Sequence, residues 1–308
     1  MKPILITGYV NPDLDGIAGI IAYTEFLQKT GKEVMSGLMN VPHDEAKYIL
    51  DRFNIKYPKL IQDGHDFEEI ILVDASELVG LRDKIDPKKV AEVIDHRKTN
   101  DSDKFPNAKI QIEFVGAAVT LIAEKFINSD INISKESAIL ICGAIISNTL
   151  NFRADVTTDR DKRAFEIINK TAQLDEDFSR ELFLSKSNLI GSLLEEQIRR
   201  NFAWFVVAER KFSITQIEMI GARKLVKERG SEIIEILEKI KKELNLDFIF
   251  QTIIDLEEFK NFFVTKDIEA QNLLEKIFNV KFNGVVAERD NMILRKQIMP
   301  LLKEELEK

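Results

Sequence analysis

Cysteine is almost missing from this chain. The one cysteine among 308 residues, Cys142, excludes a disulfide within the chain and any cluster of thiolate ligands. It lies in Ala138-Ile139-Leu140-Ile141-Cys142-Gly143-Ala144, so a buried, inert thiol in a reducing compartment is expected. No apolar run approaches the roughly 18 residues that a membrane span needs. The chain opens on a strand-like segment without a secretory pattern, so a cytoplasmic protein with no membrane contact is expected. Positive charge is in deficit. The 44 Lys+Arg face 52 Asp+Glu, a formal net charge of −8, which argues against a nucleic-acid duplex as partner but leaves room for a small basic pocket. Histidine is scarce too. His43 and His65 sit in polar, turn-like stretches and read as surface residues, whereas His96 follows an apolar run.

What is present describes an ordinary globular protein, with 44% hydrophobic and 31% charged residues. Its length exceeds what one core usually holds, so two domains are expected, 1–187 and 193–308, divided near 185–191 where Ser-Lys-Ser-Asn and a glycine break a helical pattern. In the first half, strand-like runs at 3–8, 33–38, 69–74, 90–94 and 110–114 alternate with helical spacing at 16–28 and 44–53. That alternation predicts an α/β fold, a mostly parallel sheet with helices on both faces. From about 115 to 200 the pattern is nearly all helical. Strands return at 202–208, 213–219 and 248–256 around a long amphipathic helix at 222–244, which predicts a smaller α+β C-terminal domain.

Three strand ends carry the chemistry. In Gly8-Tyr9-Val10-Asn11-Pro12-Asp13-Leu14-Asp15-Gly16, a tight Asn-Pro turn sets two carboxylates at the carboxyl end of a strand, the ligand-binding edge of an open α/β sheet. Paired aspartates there suit a hard divalent cation. The same spelling also serves an Asx turn and a helix N-cap, with even weight. The run Ile70-Ile71-Leu72-Val73 ends in Asp74, and Val93-Ile94 ends in Asp95-His96-Arg97. An imidazole beside a carboxylate that fixes its tautomer is a good Mn²⁺ ligand, and three strand ends together favour a metal site over three separate caps.

In order, these segments resemble the motifs of the DHH phosphoesterases, and in detail the DHH–DHHA2 branch, the manganese-dependent (family II) inorganic pyrophosphatases. Phe114-Val115-Gly116-Ala117 is similar to the helix start after the third motif. Ala144-Ile145-Ile146-Ser147-Asn148-Thr149-Leu150, with Phe152-Arg153 and Thr157-Thr158, is similar to the fourth. Lys211-Phe212, Gln216-Ile217-Glu218 and Arg295-Lys296-Gln297-Ile298-Met299-Pro300 are similar to the second domain's motifs. The resemblance implies metal ligands at Asp13, Asp15, Asp74 and His96, with Asp95 orienting His96 from behind. It also implies Arg97, Lys211, Arg295 and Lys296 on the substrate's phosphates, in a cleft between the domains. The implied cofactor is Mn²⁺, or Mg²⁺ or Co²⁺, as one or two ions, and Asp74 bridges them if two bind. Pyrophosphate is the implied substrate, and a homodimer is compatible. The alternatives are a short-chain exopolyphosphatase, because prune-like members share the missing first histidine and the Asp-His-Arg spelling, and a catalytically impaired phosphate- or nucleotide-binding homologue.

This chain departs from the family pattern at several positions. Tyr9 stands where the family has its first metal histidine, Arg97 at the second histidine of Asp-His-His, and Asn148 at the fourth-motif aspartate. Aligned on Gln297, the family's C-terminal arginine falls on Leu294 and the next lysine on Arg295. A phenol with a reference pKa of about 10 is a poor divalent ligand, so the site that uses position 9 is weakened. The site that uses Asp15, Asp74 and His96 keeps its ligands, with a carbonyl oxygen expected from Asn148. Arg97 is expected to serve as a clamp on phosphate oxygens.

Overall fold

The computed structural model describes residues 3–97, 99–187, 189 and 193–308. The chain divides into two compact units, Met1–Ser185 and Lys186–Lys308. Of the boundary stretch expected at 185–191, residues 188, 190 and 191 lie outside the described residues.

The first unit runs β1 (Ile4–Thr7), α1 (Leu14–Lys29), β2 (Val34–Leu38), α2 (Asp44–Arg52), β3 (Lys59–Leu60), β4 (Ile70–Val73), β5 (Val90–Asp95) and β6 (Lys109–Ile112). Helices α3 (Ala118–Ser129), α4 (Lys135–Asn148), α5 (Asp159–Ala172) and α6 (Phe178–Lys186) follow. Its six strands form one sheet in the order β3-β2-β1-β4-β5-β6, with every pairing parallel. From β1 the chain builds outward first through β2 and β3, then through β4, β5 and β6. The strand order therefore reverses between β1 and β4, and the carboxyl ends of those two strands flank the crevice where such sheets bind ligands.

Both faces of this sheet are covered. Helix α1 lies so close to β4 that a Cβ on Gly19 would fall 2.4 Å from Val73 Cγ1. Behind it sits α4, whose residues from Ser137 to Ser147 are all buried. On the other face Leu5, Ile70, Leu72, Val90 and Val93 pack against Leu78, Leu81, Ile85 and Phe105. The helical cover there, among the described residues, shrinks to the 3-10 turns Pro87–Lys89 and Ser102–Lys104 in the β4–β5 and β5–β6 connections.

The second unit runs α7 (Leu193–Arg200), β7 (Phe202–Val207), β8 (Arg210–Met219), α8 (Ala222–Leu244), β9 (Phe248–Asp255), β10 (Lys260–Val264), α9 (Ile268–Phe278), β11 (Val286–Asp290) and α10 (Arg295–Leu306). Its mixed sheet has the order β11-β10-β9-β8-β7. Only β8 and β9 pair in parallel, and α8 is the crossover that parallel neighbours require. Alternation along β8 splits the core. Ile217 and Met219 join α8 on one face, whereas Phe212 and Ile214 join α9 and α10 on the other. Among the described residues no helix is long and apolar enough to cross a membrane.

Candidate metal centre

At the switch point the chain leaves β1 through the Asn-Pro turn and enters α1, whose N-cap is Asp13. The Asp13 Oδ1 accepts a hydrogen bond from Gly16 N at 3.1 Å. Asp15, two residues on, is fully buried in the first turn. Its carboxylate accepts from the backbone N–H groups of Ala118 (2.7 Å) and Val119 (3.0 Å), the open N-terminus of α3. It also accepts from Asn148 Nδ2 at 2.7 Å. Asp74 leaves β4 with φ at 54°, a left-handed conformation that aspartate tolerates better than most residues. Its N–H donates to the Ile94 carbonyl at 2.8 Å, tying it to β5.

Asp15, Asp74 and His96 each offer one ligand atom, and the three atoms lie within 4.8 Å of one another. His96 Nε2 is 3.7 Å from Asp15 Oδ2 and 3.6 Å from Asp74 Oδ1. The other ring nitrogen, Nδ1, is 2.9 Å from the Val115 carbonyl, which can only accept, so Nδ1 carries the proton and the Nε2 lone pair faces the carboxylates. Asp74 Oδ1 is buried and has no hydrogen-bond partner among the described residues. A buried carboxylate oxygen without a hydrogen bond is costly, and here only the Arg97 guanidinium, 3.3 Å away among the described residues, offsets that cost by charge, so a bound cation would relieve it further.

Burial, with Asp13 adding repulsion and His96 opposing it, pushes the Asp15 carboxyl up to about 6. Burial, and then the charges of Asp15 and Asp13, raise Asp74 well above the ordinary carboxylate range. Two carboxylates held this close in a dry site mark a place that a positive charge completes.

The structure refines several residue roles. Asp13 stands outside the converging trio as a helix cap, although its charge still reaches Asp15 and Asp74. Asp95 does not touch the His96 ring. Its Oδ1 accepts from the backbone N–H groups of His96 (2.6 Å) and Arg97 (3.3 Å), and the Val115 carbonyl orients the imidazole instead. Asn148 turns its amide NH₂, not its carbonyl, toward Asp15, as a hydrogen-bond donor. The Arg97 Nη1 lies 3.3 Å from Asp74 Oδ1 and 3.4 Å from Asp95 Oδ2, and it donates to the Asp74 carbonyl. Its guanidinium sits 4.6 Å from the Tyr9 ring centroid. Burial works against the Arg97 charge, but Asp74 and Asp95 together outweigh it and raise its pKa. Burial, partly opposed by Arg97, lifts the Tyr9 phenol to about 12, so it stays neutral.

Sequence reasoning missed Asp161. It is fully buried and accepts from Gly116 N (2.9 Å), Thr120 Oγ1 (2.6 Å), and both Thr158 N and Oγ1 (2.7 Å each). It thereby fixes the start of α3, whose N–H groups hold Asp15. A Cβ on Gly116 would sit 2.6 Å from Thr149 Cγ2, so glycine is required at that close approach. The signal available was Thr157-Thr158 followed by an acid at 161, the spelling of a capping box.

In the second unit the expected phosphate-binding cations do not gather. Lys211 Nζ donates to the Leu244 carbonyl at 2.6 Å and lies over the Trp204 ring at 5.3 Å. By alternation along β8 it is on the α8 face, opposite Ile214 and α10. Arg295 starts α10, and its guanidinium donates to the carbonyls of Asn201 (2.6 Å) and Ile214 (3.3 Å). Burial lowers its pKa, with Glu218 acting in the opposite direction. Lys296 is the next residue of α10.

Comparison with known proteins places this geometry in a family. Residues 3–145 match the family model for the DHH family, N-terminal domain, and residues 180–305 match that for the DHHA2 domain. The manganese-dependent inorganic pyrophosphatase of Bacillus subtilis is 29% identical over 305 residues, covering 98% of each chain. A Methanococcus jannaschii crystal structure, provisionally assigned to the family II inorganic pyrophosphatases, aligns with a TM-score of 0.74 and 28% identity. That alignment covers 99% of this chain and 100% of the other. An exopolyphosphatase-related protein from Bacteroides fragilis aligns with a TM-score of 0.52 at 16% identity over 99% of this chain and 92% of its own, a likeness of fold alone. With both domain matches in this order and full-length relatives alongside, the chain belongs to the DHH family, its DHH domain followed by a DHHA2 domain.

Proposed function

We propose that this chain is a metal-dependent phosphohydrolase that cleaves inorganic pyrophosphate, with Mn²⁺ held by Asp15, Asp74 and His96. One observation carries the reading. The buried Oδ1 of Asp74, which has no hydrogen-bond partner among the described residues, faces the lone pair of His96 Nε2 at 3.6 Å. This occurs in a chain similar over almost its whole length to a manganese-dependent pyrophosphatase. The donor set fits the ion, since two carboxylates and one imidazole suit Mn²⁺ or Mg²⁺ and include none of the soft sulfur that would select another metal.

When bound, the ion supplies Lewis acidity toward phosphate oxygens and acidifies water. The protein's own groups prepare the rest. The Val115 carbonyl holds the proton on Nδ1, so the ligand nitrogen needs no tautomer change. The α3 N-terminus and the Asn148 amide solvate Asp15 in place of water, which keeps its carboxylate oriented. Arg97, charged and half-buried next to Asp74, faces the developing negative charge on phosphorus-bound oxygens.

Phosphate release tests the reading, with Mn²⁺, Mg²⁺ and Co²⁺ each tried on pyrophosphate, tripolyphosphate and a nucleotide. Pyrophosphate with Mn²⁺ should be the fastest pair, and chelation should abolish release. Preference for tripolyphosphate would move the assignment to the short-chain exopolyphosphatase reading. No metal-dependent release from any of the three would leave a phosphate-binding protein.

A further inference from the structure

We infer that this centre takes one divalent cation per chain, because the guanidinium of Arg97 already stands against Asp74 as a fixed positive charge. The inference rests on the metal reading above and concerns how many ions that site can hold. Asp74 Oδ1 has two nitrogen neighbours. One is His96 Nε2 at 3.6 Å, itself 3.7 Å from Asp15 Oδ2, and these three residues are the ligand trio. The other is Arg97 Nη1 at 3.3 Å.

Arg97 is not a loosely held surface side chain. Nη1 donates to the Asp74 carbonyl and lies 3.4 Å from Asp95 Oδ2, while the Tyr9 ring covers the guanidinium at 4.6 Å. Its backbone N–H is tied to Asp95 Oδ1 as well. A second divalent ion shared through Asp74 would meet a fixed positive charge that cannot be neutralised, since arginine does not deprotonate in proteins. It would also lack a donor from position 9, because Tyr9 turns its ring face, not its oxygen, to the guanidinium. With Asp74 and Asp95 as its charge partners, Arg97 is a permanent counter-ion, where a metal ion would be an exchangeable one.

Metal-stripped full-length protein titrated with Mn²⁺ tests this without reference to turnover. Bound metal is counted after desalting, and electron paramagnetic resonance distinguishes an isolated Mn²⁺ from an exchange-coupled pair. The parent protein should bind one equivalent and give the isolated-ion spectrum. Tyr9→His alone, which adds an imidazole but keeps the arginine, should stay at one. Tyr9→His combined with Arg97→Gln should gain a second, weaker equivalent with a coupled spectrum. Two equivalents in the parent or in Tyr9→His, or one in the double variant, would overturn the inference while leaving the metal reading standing. No bound metal in the parent would overturn both.

Discussion

The guanidinium of Arg97 stacks on the ring of Tyr9 at 4.6 Å. Both positions depart from the pattern of the family this chain resembles, and they depart together. A neutral phenol ring gives the arginine an apolar, electron-rich wall, and Asp74 and Asp95 give it charge partners. The ring and the two carboxylates together hold the guanidinium in place.

The stack predicts a split between two substitutions. Tyr9→Leu removes the aromatic face and should lower stability by about 1 kcal/mol through loss of the cation–π contact, beyond its change in packing. Tyr9→Phe keeps the ring and deletes a buried hydroxyl that has no hydrogen-bond partner among the described residues, so it should be neutral or stabilising. Urea denaturation of the metal-free proteins reads both. Equal losses in the two variants would mean that the ring does not support Arg97.

Asn148 now acts as a hydrogen-bond donor to Asp15. Asn148→Asp replaces that donor with a second carboxylate against a fully buried one, so the metal-free variant should be less stable by roughly 2 kcal/mol. Its Mn²⁺ affinity should rise by about tenfold, since the ion gains an anionic ligand. Thermal unfolding with and without Mn²⁺ checks both signs together. A variant stabilised in the absence of metal would contradict the donor role.

Asp161 reaches the centre through the start of α3. Asp161→Ala leaves Gly116 N, Thr120 Oγ1 and Thr158 N without their acceptor in a buried site, at a cost of about 1–3 kcal/mol for each group left unsatisfied. The loss of stability should come with weaker Mn²⁺ binding, because residues 118 and 119 no longer hold Asp15 in place. Calorimetric titration with Mn²⁺ below the unfolding temperature separates the two effects. Unchanged metal affinity in a destabilised variant would limit Asp161 to the fold.

Burial raises Asp15 from its ordinary 3.8 to about 6 in the metal-free protein. Between those values the folded chain keeps a proton that the unfolded chain has released. Stability of the metal-free protein should therefore fall as pH rises through that window, and Asp15→Asn should flatten the decline. Metal binding has the opposite slope. The ion competes with the proton, so Mn²⁺ affinity should climb as pH rises through about 6. Affinity independent of pH across that range would remove Asp15 from the ligand set.

Much of the first unit was legible because its strands are short apolar runs that end in a charged residue. Ile70-Ile71-Leu72-Val73 followed by Asp74 announces both a buried strand and a carboxylate at its end. Elements without that contrast were hidden. β3 is two exposed residues, and β11 pairs with β10 only across the intervening helix α9. Residue types at the centre were legible too, but their partners were not. That Asp15 is held by backbone N–H groups of Ala118 and Val119, and His96 by the Val115 carbonyl, depends on how α3 meets the sheet. Lys211 shows the limit of reading cations from spelling alone, since a basic residue on a strand binds whatever its face presents, here the carbonyl end of α8.

Anomalous diffraction at the manganese edge, on crystals of the full chain grown with Mn²⁺, tests the central claim most directly. The account predicts a single peak within roughly 2.0–2.6 Å of one oxygen each from Asp15 and Asp74 and of His96 Nε2. A peak coordinated by other residues, or none at saturating Mn²⁺, would contradict it.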